Sequence, residues 1–151
     1  MEVESHGLGV VAVYTDGAAR GNPGESASGF EADKGGKMLF RGIVYNGKKT
    51  NNYAEYAAVI KALEWCIKSV DLKKERIELF SDSALVVNQI NGAYKVRSGD
   101  LGKLHSRVRE LIARIPNLRI SNVPRETAGI RRVDAALNRF LDSAPSSKHK
   151  I

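Results

Sequence analysis

A single cysteine, Cys66, leaves the chain without a disulfide framework or a thiolate metal centre of its own. It falls inside a helical stretch and reads as a small buried apolar residue. Aromatic residues make up only 7% of the chain, too few for single-stranded nucleic acid to be held mainly by base stacking. Trp65, beside the apolar stripe of a helix, reads as packing. Long apolar runs are also missing, and none approaches the roughly 18–20 residues of a spanning helix. The start, Met1-Glu2-Val3-Glu4-Ser5-His6, lacks the basic and apolar regions of a signal peptide, so the expectation is a cytoplasmic protein without a membrane partner. No internal repeat is visible, and nothing points to an obligate protein partner.

What is present is a chain of 151 residues, 42% hydrophobic, long enough for one domain with its own core. The expected division is an N-terminal extension over 1–9, a domain over 10–142 and a small, polar tail over 143–151. Lys and Arg number 24 against 17 Asp and Glu, a net charge of +7, which favours a polyanionic partner.

Periodicity sets out the elements. Val10 to Thr15 is a short β-branched run that ends at Asp16-Gly17 and leads into the glycine-rich stretch Gly21-Asn22-Pro23-Gly24. Ser26–Ala32 and Lys37–Tyr45 read as two further strands joined by a hairpin turn, Asp33-Lys34-Gly35-Gly36. From Asn51 the period becomes helical, with Asn51 or Asn52 as the cap. Arg76–Ser81 is a strand, Ser83–Ile90 a helix ending at Asn91-Gly92, and Leu101–Ile115 a helix stopped by Pro116. Leu118–Val123 is the fifth strand, and Val133, Ala136, Leu137, Phe140 and Leu141 mark a last helix. The order β-β-β-α-β-α-α-β-α predicts an α/β fold with a mixed sheet flanked by helices.

Four acids stand at corners of this plan: Asp16 closing a strand, Glu55 opening a helix, Asp82 closing a strand and Asp134 opening the last helix. Singly, each has an ordinary local use, as a turn residue, a helix cap or a first-turn acid. Together at one sheet edge they would repel one another and raise one another's pKa unless cations compensated. An all-oxygen set of this kind favours Mg²⁺ or Mn²⁺. Two such ions roughly 4 Å apart suit in-line phosphodiester hydrolysis. Glu64, Glu75, Glu78, Asp100 and Glu110 match no such corner and read as solvated faces.

Tyr14-Thr15-Asp16-Gly17, Gly21-Asn22-Pro23-Gly24, Thr50-Asn51-Asn52-Tyr53-Ala54-Glu55, Phe80-Ser81-Asp82-Ser83 and Val133-Asp134-Ala135-Ala136-Leu137-Asn138 resemble, in order and spacing, the signature of the ribonuclease H type 1 family over residues 10–142. Any one piece recurs by chance; five in order on matching elements are specific. The resemblance implies a ribonuclease H-like, five-stranded mixed sheet and metal-dependent endonucleolytic cleavage of the RNA strand of RNA–DNA hybrids, leaving 5′-phosphate and 3′-hydroxyl ends. It also implies that Asp16 bridges both ions, Glu55 and Asp82 hold the ion nearer the leaving group and Asp134 the ion nearer the attacking water. Recognition of 2′-hydroxyls falls, by the same resemblance, to Asn22, Asn51 and the backbone from Gly17 to Arg20, with Gln89 as a weaker candidate. Thr50 and Asn22 match a pocket for a DNA-strand phosphate, and Asn138 belongs to the last matched piece.

Two departures from the family pattern stand out. The stretch Asn91–Asp100 is too short for the long basic handle of some members, which leaves Tyr94, Lys95 and Arg97 for a smaller contact. Many members carry a histidine in the loop before the last helix, where this chain has Arg125, Glu126 and Thr127; His6, His105 and His149 lie elsewhere. Glu126 substitutes, Arg125 assists electrostatically, or the loop contributes little. Double-stranded RNA stays open as a further partner, and a non-catalytic module binding hybrid or double-stranded RNA on the same fold is the alternative function. A DNA-cutting relative of the integrase type is more distant.

Overall fold

Thirteen residues, Gly9–Gly21, form one strand, β1, of which only the first half has the apolar alternation of a buried strand. The computed structural model describes residues 7–92 and 99–143. Long-range pairing explains why β1 runs on past Asp16. Its first half lies parallel to β4 (Glu75–Ser81), from Gly9 opposite Glu75 to Thr15 opposite Ser81. Its second half is held antiparallel to β2 (Gly24–Lys34) as far as Gly21 opposite Gly24. Asp16 therefore sits inside a strand instead of closing one. The expected glycine-rich loop is a tight hairpin turn around a cis Asn22–Pro23 bond.

β3 (Lys37–Lys49) pairs antiparallel with β2, and β5 (Leu118–Asn122) pairs parallel with β4. The sheet order is β3-β2-β1-β4-β5, a five-stranded mixed sheet as the element order implied.

Four helices cover the sheet. α1 (Asn51–Ser69) starts one residue before the expected caps: Thr50 accepts a hydrogen bond from the Tyr53 N–H at 3.1 Å, so Asn51 is already helical. α2 (Ala84–Ile90) is capped by Ser83, whose hydroxyl accepts from the Val86 N–H at 3.2 Å. α3 (Gly99–Ile112) stops short of Ile115, consistent with the restriction that Pro116 places on the residue before it. α4 (Ala128–Asp142) begins five residues ahead of Val133, where the apolar stripe marks the last helix. Glu55 and Asp134 consequently lie in second turns, not at helix openings.

The two faces of the sheet hold separate cores. Val11 and Val13 of β1 join Tyr56, Leu63, Leu79 and Leu111 under α1 and α3. Tyr14 and Ala18, of opposite parity on the strand, pack with Ala27, Val133 and Leu137 under α4. Trp65 stacks on Phe40 at 5.5 Å between ring centroids, a packing role as expected. Cys66 is buried, and burial pushes its thiol up to about 12. Glu75 is no solvated acid: its side chain is 14% exposed and pairs with Lys34.

One buried charge ties α4 to the sheet. Glu31 on β2, 1% exposed, accepts from Arg132 Nε at 2.8 Å and from Arg41 at 2.7 Å. Burial alone would raise its pKa; the hydrogen bonds from Arg132 and Arg41 outweigh that and hold it below the usual carboxylate range. Removing either arginine leaves a desolvated carboxylate short of a partner.

Candidate active site

β4 stops at Ser81 while β1 continues, so Asp16 is the first residue of β1 without a β4 partner. Side chains from opposite faces of the sheet can reach the edge that this opens. Glu55 comes to it from α1 and Asp134 from α4, while Asp82 follows directly on β4. The exit from β4 is fixed by Ser81, whose hydroxyl accepts from the Ser83 N–H at 3.1 Å and whose carbonyl accepts from Asn122 Nδ2 at 3.0 Å.

Two glycines let the helices come this close. A Cβ on Gly17 would lie 2.3 Å from the Ala54 carbonyl carbon, so α1 rests directly on β1 one residue before Glu55. A Cβ on Gly129 would lie 2.3 Å from the Tyr14 ring, which itself stacks on Phe80 at 5.3 Å. Gly129 was not singled out from sequence. A glycine near the start of an amphipathic helix, where it costs helix propensity, was the available signal.

Carboxylate oxygens of Asp16, Glu55 and Asp82 all lie within 4.8 Å of one another. Asp134 adjoins the group through Asp16, whose pKa it helps to raise. Asp16, 5% exposed, is pushed up to about 8, first by burial and then by the charges of Asp82 and Asp134. Glu55 is raised well above its ordinary value by burial, Asp16 and Asp82, partly offset by the Gly17 N–H and Arg125. Burial raises Asp82 as well, against the opposing charge of Arg125. Glu55 Oε1 is buried without a hydrogen-bond partner. An orphaned carboxylate oxygen beside two further carboxylates fits a hard divalent cation, which would neutralise the group and complete its coordination.

The carboxylates line a cleft of about 680 Å³ whose wall also includes Gly17, Arg20, Asn51, Arg125, Glu126 and Asn138. The remaining substrate candidates stand apart from it. Thr50 lines a neighbouring depression of about 410 Å³ with Pro23, Lys48, Lys49 and Tyr53. Asn22 accepts from the Asn51 N–H at 3.0 Å, and Asn51 Oδ1 in turn accepts from the Ala19 N–H at 3.1 Å, which locks the hairpin to the start of α1. Gln89 accepts from the Tyr56 hydroxyl at 2.7 Å and does not line the cleft. Arg20 reaches Asn138 at 3.1 Å and Asp142 at 2.9 Å, while Asn138 also donates to the Asp134 carbonyl at 3.1 Å. Tyr94, Lys95 and Arg97 lie outside the described residues. His105 is set against the Gln89 carbonyl at 3.1 Å, a structural contact.

The RNase H family model matches residues 9–120. Ribonuclease HI of Halobacterium salinarum is 42% identical over 137 residues, which cover 90% of this chain and 66% of that protein. The bifunctional protein Rv2228c of Mycobacterium tuberculosis is 33% identical over 140 residues, 91% of this chain and 37% of that protein. The chain thus spans just under two thirds of the first of these relatives and little more than a third of the second. Among solved structures, RNase H1 from Halobacterium salinarum overlays with a TM-score of 0.82 at 41% identity, covering 90% of this chain and all of that one. LC11-RNase H1, solved in complex with an RNA/DNA hybrid, overlays with a TM-score of 0.74 at 34% identity, covering 87% of this chain and 99% of that one. The sequence match, the shared backbone and the carboxylates at the open edge beside β1 agree: this chain belongs to the RNase H family.

Proposed function

We propose that the chain is a metal-dependent endoribonuclease that cleaves the RNA strand of RNA–DNA hybrids, leaving 5′-phosphate and 3′-hydroxyl ends, with a cytoplasmic location. The observation that carries this reading is the carboxylate group of Asp16, Glu55 and Asp82, within 4.8 Å in a cleft and with Glu55 Oε1 unpaired. Asp16, Glu55, Asp82 and Asp134 would hold the cations, Mg²⁺ or Mn²⁺ and two with substrate present. Bound there, such ions would activate water and offset charge on the departing oxygen.

The chain's own residues do the rest. Asp16, Glu55 and Asp82, all raised above their ordinary values, must give up protons before they can hold cations, and Arg125, acting on both Glu55 and Asp82, favours their ionised forms. Electrostatic assistance by Arg125 is therefore the loop role this reading adopts. Asn51 spends its side-chain oxygen on Ala19 and so offers a substrate its amide donors, suited to a 2′-hydroxyl. The hybrid bound in the LC11-RNase H1 structure supports the substrate assignment.

Arg125 is exposed at the rim of the cleft, where a phosphate of the substrate can reach it. Arg125→Ala should weaken hybrid binding several-fold and lower the salt slope of log affinity by about one. Affinities measured across a salt series check this, and an unchanged slope would remove Arg125 from the substrate interface. Product ends test the chemistry. Fragments joined by a ligase that needs a 5′-phosphate are expected, and 2′,3′-cyclic phosphate ends would contradict hydrolysis by activated water.

A further inference from the structure

The Ala54–Glu55 peptide rests on a seat made by two residues paired across the sheet. Gly17 of β1 stands opposite Ser28 of β2. Gly17 gives the peptide room, since a Cβ there would also lie 2.5 Å from the Glu55 nitrogen. Ser28 supplies the bond: its hydroxyl donates to the Ala54 carbonyl at 2.5 Å. That hydroxyl also accepts from Asn46 Nδ2 of β3, at 2.8 Å.

Ser28 is 1% exposed, between strand neighbours that are small or apolar. Packing alone gives no reason for a hydroxyl at this position, because an alanine would fit the same strand without a buried polar atom to satisfy. A helical carbonyl has two lone pairs, of which the helix uses one. Ser28 takes the second, and Asn46 fixes the direction in which the hydroxyl points. The chain Asn46–Ser28–Ala54 thus ends at the peptide bond to Glu55, whose side chain carries a carboxylate of the cluster.

We propose that Ser28 is a positioning residue for Glu55, held in orientation by Asn46. This rests on the reading of Glu55 as a cation ligand. Small rotations of the Ala54–Glu55 peptide swing the carboxylate at the end of its three-bond arm, and the Ser28 hydrogen bond restricts them. Partners that orient a ligand in this way typically alter metal affinity by about tenfold or more when removed.

The test is Mn²⁺ binding to the full chain by calorimetry without nucleic acid, for wild type, Ser28→Ala, Glu55→Gln, the double variant and Asn46→Ala. Ser28→Ala is expected to weaken Mn²⁺ binding about tenfold when Glu55 is present and to add little when Glu55 is already Gln. Asn46→Ala should act in the same direction with a smaller loss, which covers the case of a Ser28 variant that folds poorly. A merely structural hydroxyl would lower the melting temperature equally in both backgrounds and leave Mn²⁺ affinity unchanged, which would overturn the proposal. Equal affinity losses with and without Glu55 would overturn it too. A wild type that takes up no Mn²⁺ would bring down the cation-site reading itself and this proposal with it, an outcome distinct from loss of the Ser28 effect alone.

Discussion

Asp16→Asn should abolish hybrid cleavage and at the same time raise the melting temperature of the metal-free protein. Both effects come from one buried carboxylate. In the folded chain Asp16 is pushed up from 3.8 to about 8, by burial first and then by Asp82 and Asp134. A raised folded pKa means that the native state binds a proton which the unfolded chain has released. Its contribution to stability is full below about pH 3.8 and is lost as pH rises through about 8. Near pH 7 the folded state thus carries a cost that a neutral Asn removes, about 3 kcal/mol once sharing of protons among the coupled carboxylates is allowed for. For a chain of this size that is a gain of roughly 5–10 °C.

Cleavage should fall on the order of 10³-fold or more, because a position that links the other carboxylates loses its charge. Hybrid binding should survive or strengthen, since Asn stays neutral where Asp16 becomes a negative charge near phosphate as pH rises through about 8. Thermal melts at pH 5 and pH 8, with EDTA and with Mg²⁺, check the stability half. Wild type should gain from Mg²⁺ at pH 8 and the variant should not. Substantial turnover by Asp16→Asn, or a melting temperature below wild type in EDTA, would contradict the assignment.

Gly17→Ala is the second large effect, expected to cost about 3 kcal/mol and roughly 10 °C of melting temperature. The added Cβ would sit 2.3 Å from the Ala54 carbonyl carbon and 2.5 Å from the Glu55 nitrogen. Those atoms are helix backbone, so no side-chain rotation relieves the contact. Relief requires α1 and β1 to part, and each carries a member of the carboxylate group. Cleavage should therefore fall further than stability alone explains, at temperatures where the variant is fully folded by circular dichroism. Wild-type melting and cleavage would show that α1 does not rest on Gly17.

Local pattern was enough to find the elements and the acids, since strand and helix periods repeat within a few residues. Asp82 was readable because the apolar run before it ends where β4 ends. Asp16 was placed at a strand end because Asp16–Gly21 has no apolar alternation; pairing with β2, a contact outside that segment, keeps it extended. Asp134 reads as a helix opening because the first turn of α4, Ala128-Gly129-Ile130-Arg131, holds a single large apolar side chain and a glycine, too little to show a helical stripe. The roles of Gly129, Ser28 and Glu31 depend on neighbours from other elements: Tyr14, Ala54 and Arg132. No spacing rule joins such pairs. Gln89 matched the family pattern, yet its side chain holds the Tyr56 hydroxyl, a contact that only the packing of α1 against α2 creates.

The most direct test presents one labelled oligonucleotide sequence as RNA–DNA hybrid, double-stranded RNA, single-stranded RNA and duplex DNA, each with Mg²⁺, Mn²⁺ or EDTA. Cutting of the RNA strand of the hybrid with either metal, and none in EDTA, is the predicted result. Tight hybrid binding without cleavage under either metal would contradict it and make the chain a binding module on an RNase H fold.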